Sequence, residues 1–477
     1  MTGSATALRD LPTVRTWPVL GCLPDLMRRK ESFWAEAGRA HGDLYELDLG
    51  VTRLVAAGHP RHAHHILVDH ADNYRDKGGA TGFRATLLPL TGQGLSTIDV
   101  EDAHWQSRRD LVGPAFRQAA LKSMTDYMAR LVGHRADDWL PASAGAGGTG
   151  LDVVPRVTAA VTSALAELLY GAPISDDEIR RVDRAFDQIM NYMWVGMLAS
   201  AVPAWLPFPG RGRQRRAIGV IERTVLDVVS RRDGDRDRGR DLGGEGPGRR
   251  PELVDLMSAA ERELDAEGLR DEAVSLLLGA EPLAISVSWA LHLLARHPDV
   301  QHTARAELDR ALGGRCPRFE DLAALPYLRT VLKEALRLCP PTYWVQRRAA
   351  RDDVIDGVLV PGGTVVVVLI HRIHTHPEIW EAPERFDPRR FATGAGSGGG
   401  AGGVRARHRQ AWMPFGGGRR SCVAREFSMT LGLLVLAHAL QRYVFAPHPR
   451  RTPALTVATN LRPSAGVWLT ARRRRAT

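Results

Sequence analysis

Residues Trp412 to Glu426 read WMPFGGGRRSCVARE, and the fold turns on them. A single cysteine, Cys422, follows a glycine-rich turn with two arginines and precedes a run of helical character, Ala424 to Leu440. Each part suits a sulfur that carries negative charge against a flat ligand. Glycines lack the Cβ that would hold the backbone away, backbone amides and a helix start favour a thiolate, and arginine binds anions. The other cysteines, Cys22, Cys316 and Cys339, are too scattered for a disulfide framework or a Cys-x-x-Cys zinc site.

Working outward, Phe415-x-x-Gly418-x-Arg420-x-Cys422-x-Ala424 resembles the haem-binding loop of cytochromes P450, with Ala424 where the family's last glycine stands. Glu334-Ala-Leu-Arg337 resembles the family's ExxR motif, and Arg385 in Pro383-Glu-Arg-Phe386 its third member. Trp105-x-x-x-Arg109 is similar to the WxxxR motif, and Gly92-x-Gly94-Leu95 through Pro114-Ala-Phe116 also matches. The resemblance runs from Pro18-Val-Leu-Gly21 to Arg462-Pro463. It implies a mainly α fold with small β-sheets, one haem-thiolate domain over residues 1–477, and haem b. Cys422 is then the axial iron ligand, which pushes electron density toward O–O cleavage. Trp105, Arg109, Arg347, Arg420 and His371 become haem contacts, with Phe415 in the loop itself. Glu334, Arg337 and Arg385 form a buried ion network that fixes the haem region.

The patterning agrees. Apolar residues recur at helical spacing in 119–140, 154–170, 178–199, 214–231, 271–297 and 325–338. Strand-like runs are short: 43–57, 364–370, and pieces around Ala458 and Val467. Segments 141–150, 231–251 and 393–403 are rich in glycine or charge and read as flexible loop insertions. His62, His64, His65 and His70 could be imagined as a metal site but read instead as packed or solvated histidines of a helix after the first sheet.

One motif breaks. The family's long central helix carries a glycine, an acid and then a threonine that relays protons during oxygen activation. Here the stretch is Leu278-Gly279-Ala280-Glu281-Pro282-Leu283. Proline has no donor and removes a helix hydrogen bond, so it bends the helix and frees a carbonyl near Leu278. Glu281, partly desolvated, becomes the candidate proton donor; Ser286, one turn on, is a weaker substitute. Monooxygenation is the leading activity. Peroxide-driven peroxygenation, redox-neutral isomerisation or dehydration, and a haem-based sensor are the alternatives.

By the same resemblance, Met190, Met193, Trp194, Leu278, Leu283, Tyr343, Trp344 and Leu461 wall a substrate pocket, with Phe83, Leu87, Leu88, Tyr192, Met197 and Thr459 beside them. Methionines and aromatics make a deformable apolar site, suited to a hydrophobic secondary metabolite such as a terpenoid or polyketide. Among 64 Lys+Arg and 54 Asp+Glu the excess is +10, nearly all arginine, with no nucleic-acid reader motif. Electrons are expected from a separate ferredoxin and ferredoxin reductase, with Arg108, Arg419 and Arg425 as the docking charges. No apolar segment long enough to span a bilayer and no leader-like start is apparent, so a cytoplasmic monomer without a membrane anchor is expected.

Overall fold

The structure is a computed structural model and describes residues 11–29, 31–50, 52–77, 83–98, 103–141, 148–199, 209–241, 264–392, 408–457 and 461–474. Helices dominate, and their limits follow local chemistry. The Val153–Tyr170 helix starts where the Asp152 side chain accepts from the Val154 amide at 3.2 Å, and stops at Gly171 in the left-handed region, φ 69°. Asp176–Ala199 and Pro326–Leu338 lie close to the expected spans. The Arg211–Asp241 helix runs through the first half of the charged segment expected to be a loop. Residues 142–147 and 393–407 lie outside the described residues.

The Arg425–Arg442 helix is buried on every face from Phe427 to Leu440, as its nearly continuous apolar sequence demands. It packs with Gln118–Asp137, Val153–Tyr170, Ala280–Arg296 and Pro326–Leu338 to make the main core. Val153–Tyr170 and the most apolar 18-residue window within 266–296 are long and apolar enough to cross a bilayer, but 72% and 67% of those windows are buried inside the protein.

Beside the helices lies a five-stranded sheet in the order Thr13–Val14, Leu44–Asp48, Arg53–Ala57, Val365–Val368, Val345–Arg348. Its hairpin is antiparallel, the Arg53–Ala57 strand pairs in parallel with Val365–Val368, and that strand pairs antiparallel with Val345–Arg348. The all-valine strand is buried at all four positions, as expected for a central strand covered on both faces.

The central helix is not one bent rod. It ends at Leu277 and restarts at Ala280, with Gly279 at the new N-cap. Pro282 thereby falls in the first turn of the second half, where a missing amide costs little.

Candidate active site

The glycine-rich loop brings Cys422 to a cavity of about 200 Å³. The Cys422 amide donates to the Phe415 carbonyl at 2.9 Å, which closes the loop. Gly418 sits at φ 66°, and a Cβ there would lie 1.8 Å from the Leu67 carbonyl oxygen, so only glycine fits. The Cys422 sulfur faces the open cavity within a dense protein surround. Burial pushes its thiol above the ordinary value, although the Ala424 amide, Arg425 and Arg109 pull the other way. The loop charges therefore do not by themselves depress the thiol, contrary to what its sequence suggests.

Trp105 and Arg109 lie on one face of the Ala103–Val112 helix and both line the cavity. The Trp105 ring has the Arg109 guanidinium at 5.7 Å and that of Arg420 at 5.6 Å. Arg109 donates to the Ser421 carbonyl at 3.2 Å, and Arg420 to that of Ile98 at 2.7 Å. Arg347, on the edge strand, shares a second small cavity with Arg420, Tyr74 and Leu67. Burial pushes Arg347 down to about 10, the charge of Arg420 adds to this, and Asp76 offsets part of it. Buried cations that repel one another call for an anion between them. A thiol at one end and a cluster of arginines at the other fit a flat, doubly carboxylated macrocycle such as haem. When bound, that group supplies oxygen activation at a thiolate-ligated iron.

Two sets of contacts hold these walls. Asp271 accepts from the Gln93 amide at 2.6 Å, Glu272 from Leu95 at 3.0 Å, and the Ser275 hydroxyl from Ser96 at 3.2 Å. They pin the 92–97 loop, and with it Leu95 and Ser96, to the cavity rim. Burial pushes Glu272 up to about 6, opposed by the Leu95 amide and by Arg108. Arg108 lies 3.6 Å from Glu272 and is largely buried, so it is an internal partner and not a surface docking charge.

The second set is the ExxR network. Arg337 donates to both Glu334 oxygens, at 2.7 and 2.8 Å, with both side chains fully buried. It also donates to the carbonyls of His374, Pro383 and Arg385, at 2.8, 2.7 and 3.1 Å. The third charged member is Arg390, whose Nε is 3.2 Å from Glu334. Arg385 supplies only its carbonyl, which corrects the expectation for its side chain. The chain contains two Pro-x-Arg-Phe frames, 383–386 and 388–391, and spacing alone does not distinguish them. His374 joins the network to the haem loop, accepting from the Met413 amide at 2.8 Å.

Other expected site residues fall elsewhere. His371 stacks on Tyr343 at 5.1 Å beside the ExxR helix, where burial and then Arg337 push it down to about 4; it is a packed neutral ring and lines neither cavity. Glu281 lies 2.7 Å from Arg462, which also lies 2.7 Å from Asp187. Burial disfavours the charge of Arg462, yet Glu281, Asp187 and Asp183 outweigh that and hold its pKa above the ordinary value. Glu281 is thus paired with Arg462 and is not among the residues that line the cavity. The Ser286 hydroxyl donates to the Pro282 carbonyl at 2.7 Å and is committed there.

Of the expected pocket residues Leu283 lines the cavity. Leu278 packs partly buried against the main core, which also holds Met190 and Leu87. Tyr343, Trp344 and Leu461 pack in a second core beside the sheet, Trp344 edge-on to Trp34 at 5.0 Å. The side chains of Phe83, Met193, Trp194 and Met197, and all of Thr459, lie outside the described residues. Leu95, Phe116, Val161, Leu165, Leu276, Phe427 and Lys77 also line the cavity that Cys422 faces. Aliphatic residues of buried helices carry no distinguishing signal in the sequence.

A family model described as cytochrome P450 matches residues 11–470. The chain is similar to pentalenene oxygenase of Streptomyces avermitilis, 30% identical over 91% of this chain and 90% of the relative. It is also similar to cyclooctat-9-en-7-ol 5-monooxygenase of Streptomyces melanosporofaciens, 30% identical over 91% and 89%. Cyclooctatin synthase of the same organism is 30% identical over 94% and 90%. A match across nearly the whole chain, on a helical fold whose cysteine loop faces a cradle of arginines, places this protein in the cytochrome P450 family, as a haem-thiolate oxidoreductase.

Proposed function

We propose that the protein is a cytoplasmic monooxygenase that binds haem b and inserts oxygen into a hydrophobic terpenoid. The observation that carries this is the position of Cys422, beneath a cavity whose walls are mainly aliphatic and aromatic; the named relatives act in terpenoid oxidation. Cys422 is the iron ligand, Arg347, Arg420, Arg109 and Trp105 hold the propionates, and Phe415 shields the sulfur side. Leu276, Gly279, Ala280 and Leu283 shape the substrate face. Arg419 and Arg425, exposed near the loop, are the docking charges for an acidic ferredoxin supplied by its reductase.

Turnover of a terpenoid panel with ferredoxin, reductase and NADPH tests this reading, with a polyketide panel as the contrast. A CO complex of the reduced, folded protein that resembles a histidine-ligated haem would sink the thiolate assignment.

The helix break supports a second reading. The helix presents Gly279, Ala280 and Leu283 to the cavity where the family places a threonine, and Ser286 is already bonded. A peroxygenase dispenses with delivered electrons, so hydrogen peroxide alone then sustains turnover equal to that with the ferredoxin system.

A further inference from the structure

Outside the haem region, two histidines and a carboxylate meet where the sequence shows only a run of histidines. One turn of π-helix spans His65–Asp69. Its wider step closes with the His70 amide donating to the His65 carbonyl at 2.8 Å, which sets residues five apart above one another. The two rings stack with centroids 3.9 Å apart. Both reach Asp353, from the distant 353–360 hairpin: His65 Nε2 lies 2.8 Å from Oδ2, and His70 Nδ1 3.2 Å from Oδ1. All three donor atoms lie within 4.8 Å of one another.

We propose that His65, His70 and Asp353 form a zinc site. Zinc bonds of about 2.0–2.2 Å set tetrahedral donors roughly 3.4 Å apart, close to the two N···O separations of 2.8 and 3.2 Å, and the half-exposed His70 ring would have to turn out of its stack for both imidazoles to point at one ion. Two imidazoles with one carboxylate select a borderline transition ion over calcium or magnesium. The carboxylate is oriented as outer-shell partners orient a ligand: the Tyr74 hydroxyl donates to Oδ2 at 2.9 Å, and the Val354 amide to Oδ1 at 2.8 Å. No lysine or arginine pairs with Asp353 among the described residues. The nearby group of Asp43, His59 and His376 differs, because Arg372 at 3.4 Å already supplies Asp43 with a cation. His70 is 44% exposed, leaving its outer side open to a water as fourth ligand. The ion would stiffen the segment that carries Leu67, whose carbonyl abuts Gly418 of the cysteine loop.

The test is calorimetric titration of tag-free, chelator-stripped holoenzyme with zinc chloride, with thermal melting in parallel. One equivalent is expected to bind and raise the melting temperature. His70→Ala and Asp353→Asn are each expected to weaken binding at least about tenfold, while His64→Ala, just outside the group, leaves it unchanged. The CO spectrum checks that each variant retains its haem pocket. Absence of saturable binding in the wild type, or wild-type binding by folded His70→Ala, overturns the proposal.

Discussion

Arg385 and Arg390 show how much one side chain's direction decides. Glu334 is fully buried and takes three donors on one oxygen: Arg337, the Asp387 amide at 2.9 Å, and Arg390. Removing a cation from such a group leaves charge uncompensated, at a cost of about 3–5 kcal/mol. Arg390→Ala is therefore expected to lose haem during purification, whereas Arg385→Ala keeps it because only the carbonyl of that residue is used. The ratio of haem absorbance to protein absorbance reads both variants; equal retention would contradict the assignment. Arg462 follows the same rule. Arg462→Ala strands Glu281 and is expected to lower unfolding free energy in urea by about 3–5 kcal/mol, and adding Glu281→Gln is expected to recover most of it. A strictly additive double mutant would show that the pair does not interact.

Among the elements, the interrupted central helix carries the chemistry that departs from the family. Pro282 has no amide to return to the Leu278 carbonyl, and the helix accommodates this by restarting at Ala280. Pro282→Thr restores both the amide and a hydroxyl at that position. It is expected to raise the fraction of NADPH electrons recovered in product and to lower turnover with peroxide. Unchanged coupling would mean that protons arrive by a route independent of this position. The sequence foretold a departure at Pro282, as a bend where the structure has a break, because proline acts on its own backbone, and it foretold the helices, whose periodicity is local. It also supplied the Cys422 loop, Trp105 and Arg109, all set by short spacings. It did not supply Arg390, His374 or the Arg462 partner of Glu281, since each is chosen by where a remote segment returns in space.

For the molecule as a whole, buried histidines set the response to acid. Burial holds His292, His371 and His438 down to about 4, and His374 to about 3. Their folded values lie below the ordinary 6.5, so between about pH 4 and 6.5 the unfolded chain binds more protons. The stability they contribute is complete above 6.5 and is lost as pH falls through that window. His59 is likewise held down to about 4, while Asp183 and Glu272, both pushed up to about 6 chiefly by burial, act in the opposite sense and cancel part of the loss. A net loss on the order of a few kcal/mol per pH unit is expected near the middle of the window, and melting temperatures from pH 7 to 5 check it; a flat profile would rule it out. A different consequence attaches to the contact between Leu67 and Gly418. The obstruction at 418 is a main-chain oxygen, which every residue at 67 possesses, so no compensating change at 67 can relieve it. In a saturation library selected for haem uptake, position 418 should therefore return glycine alone, while position 67 drifts among apolar residues. The two positions would be in contact yet show no covariation.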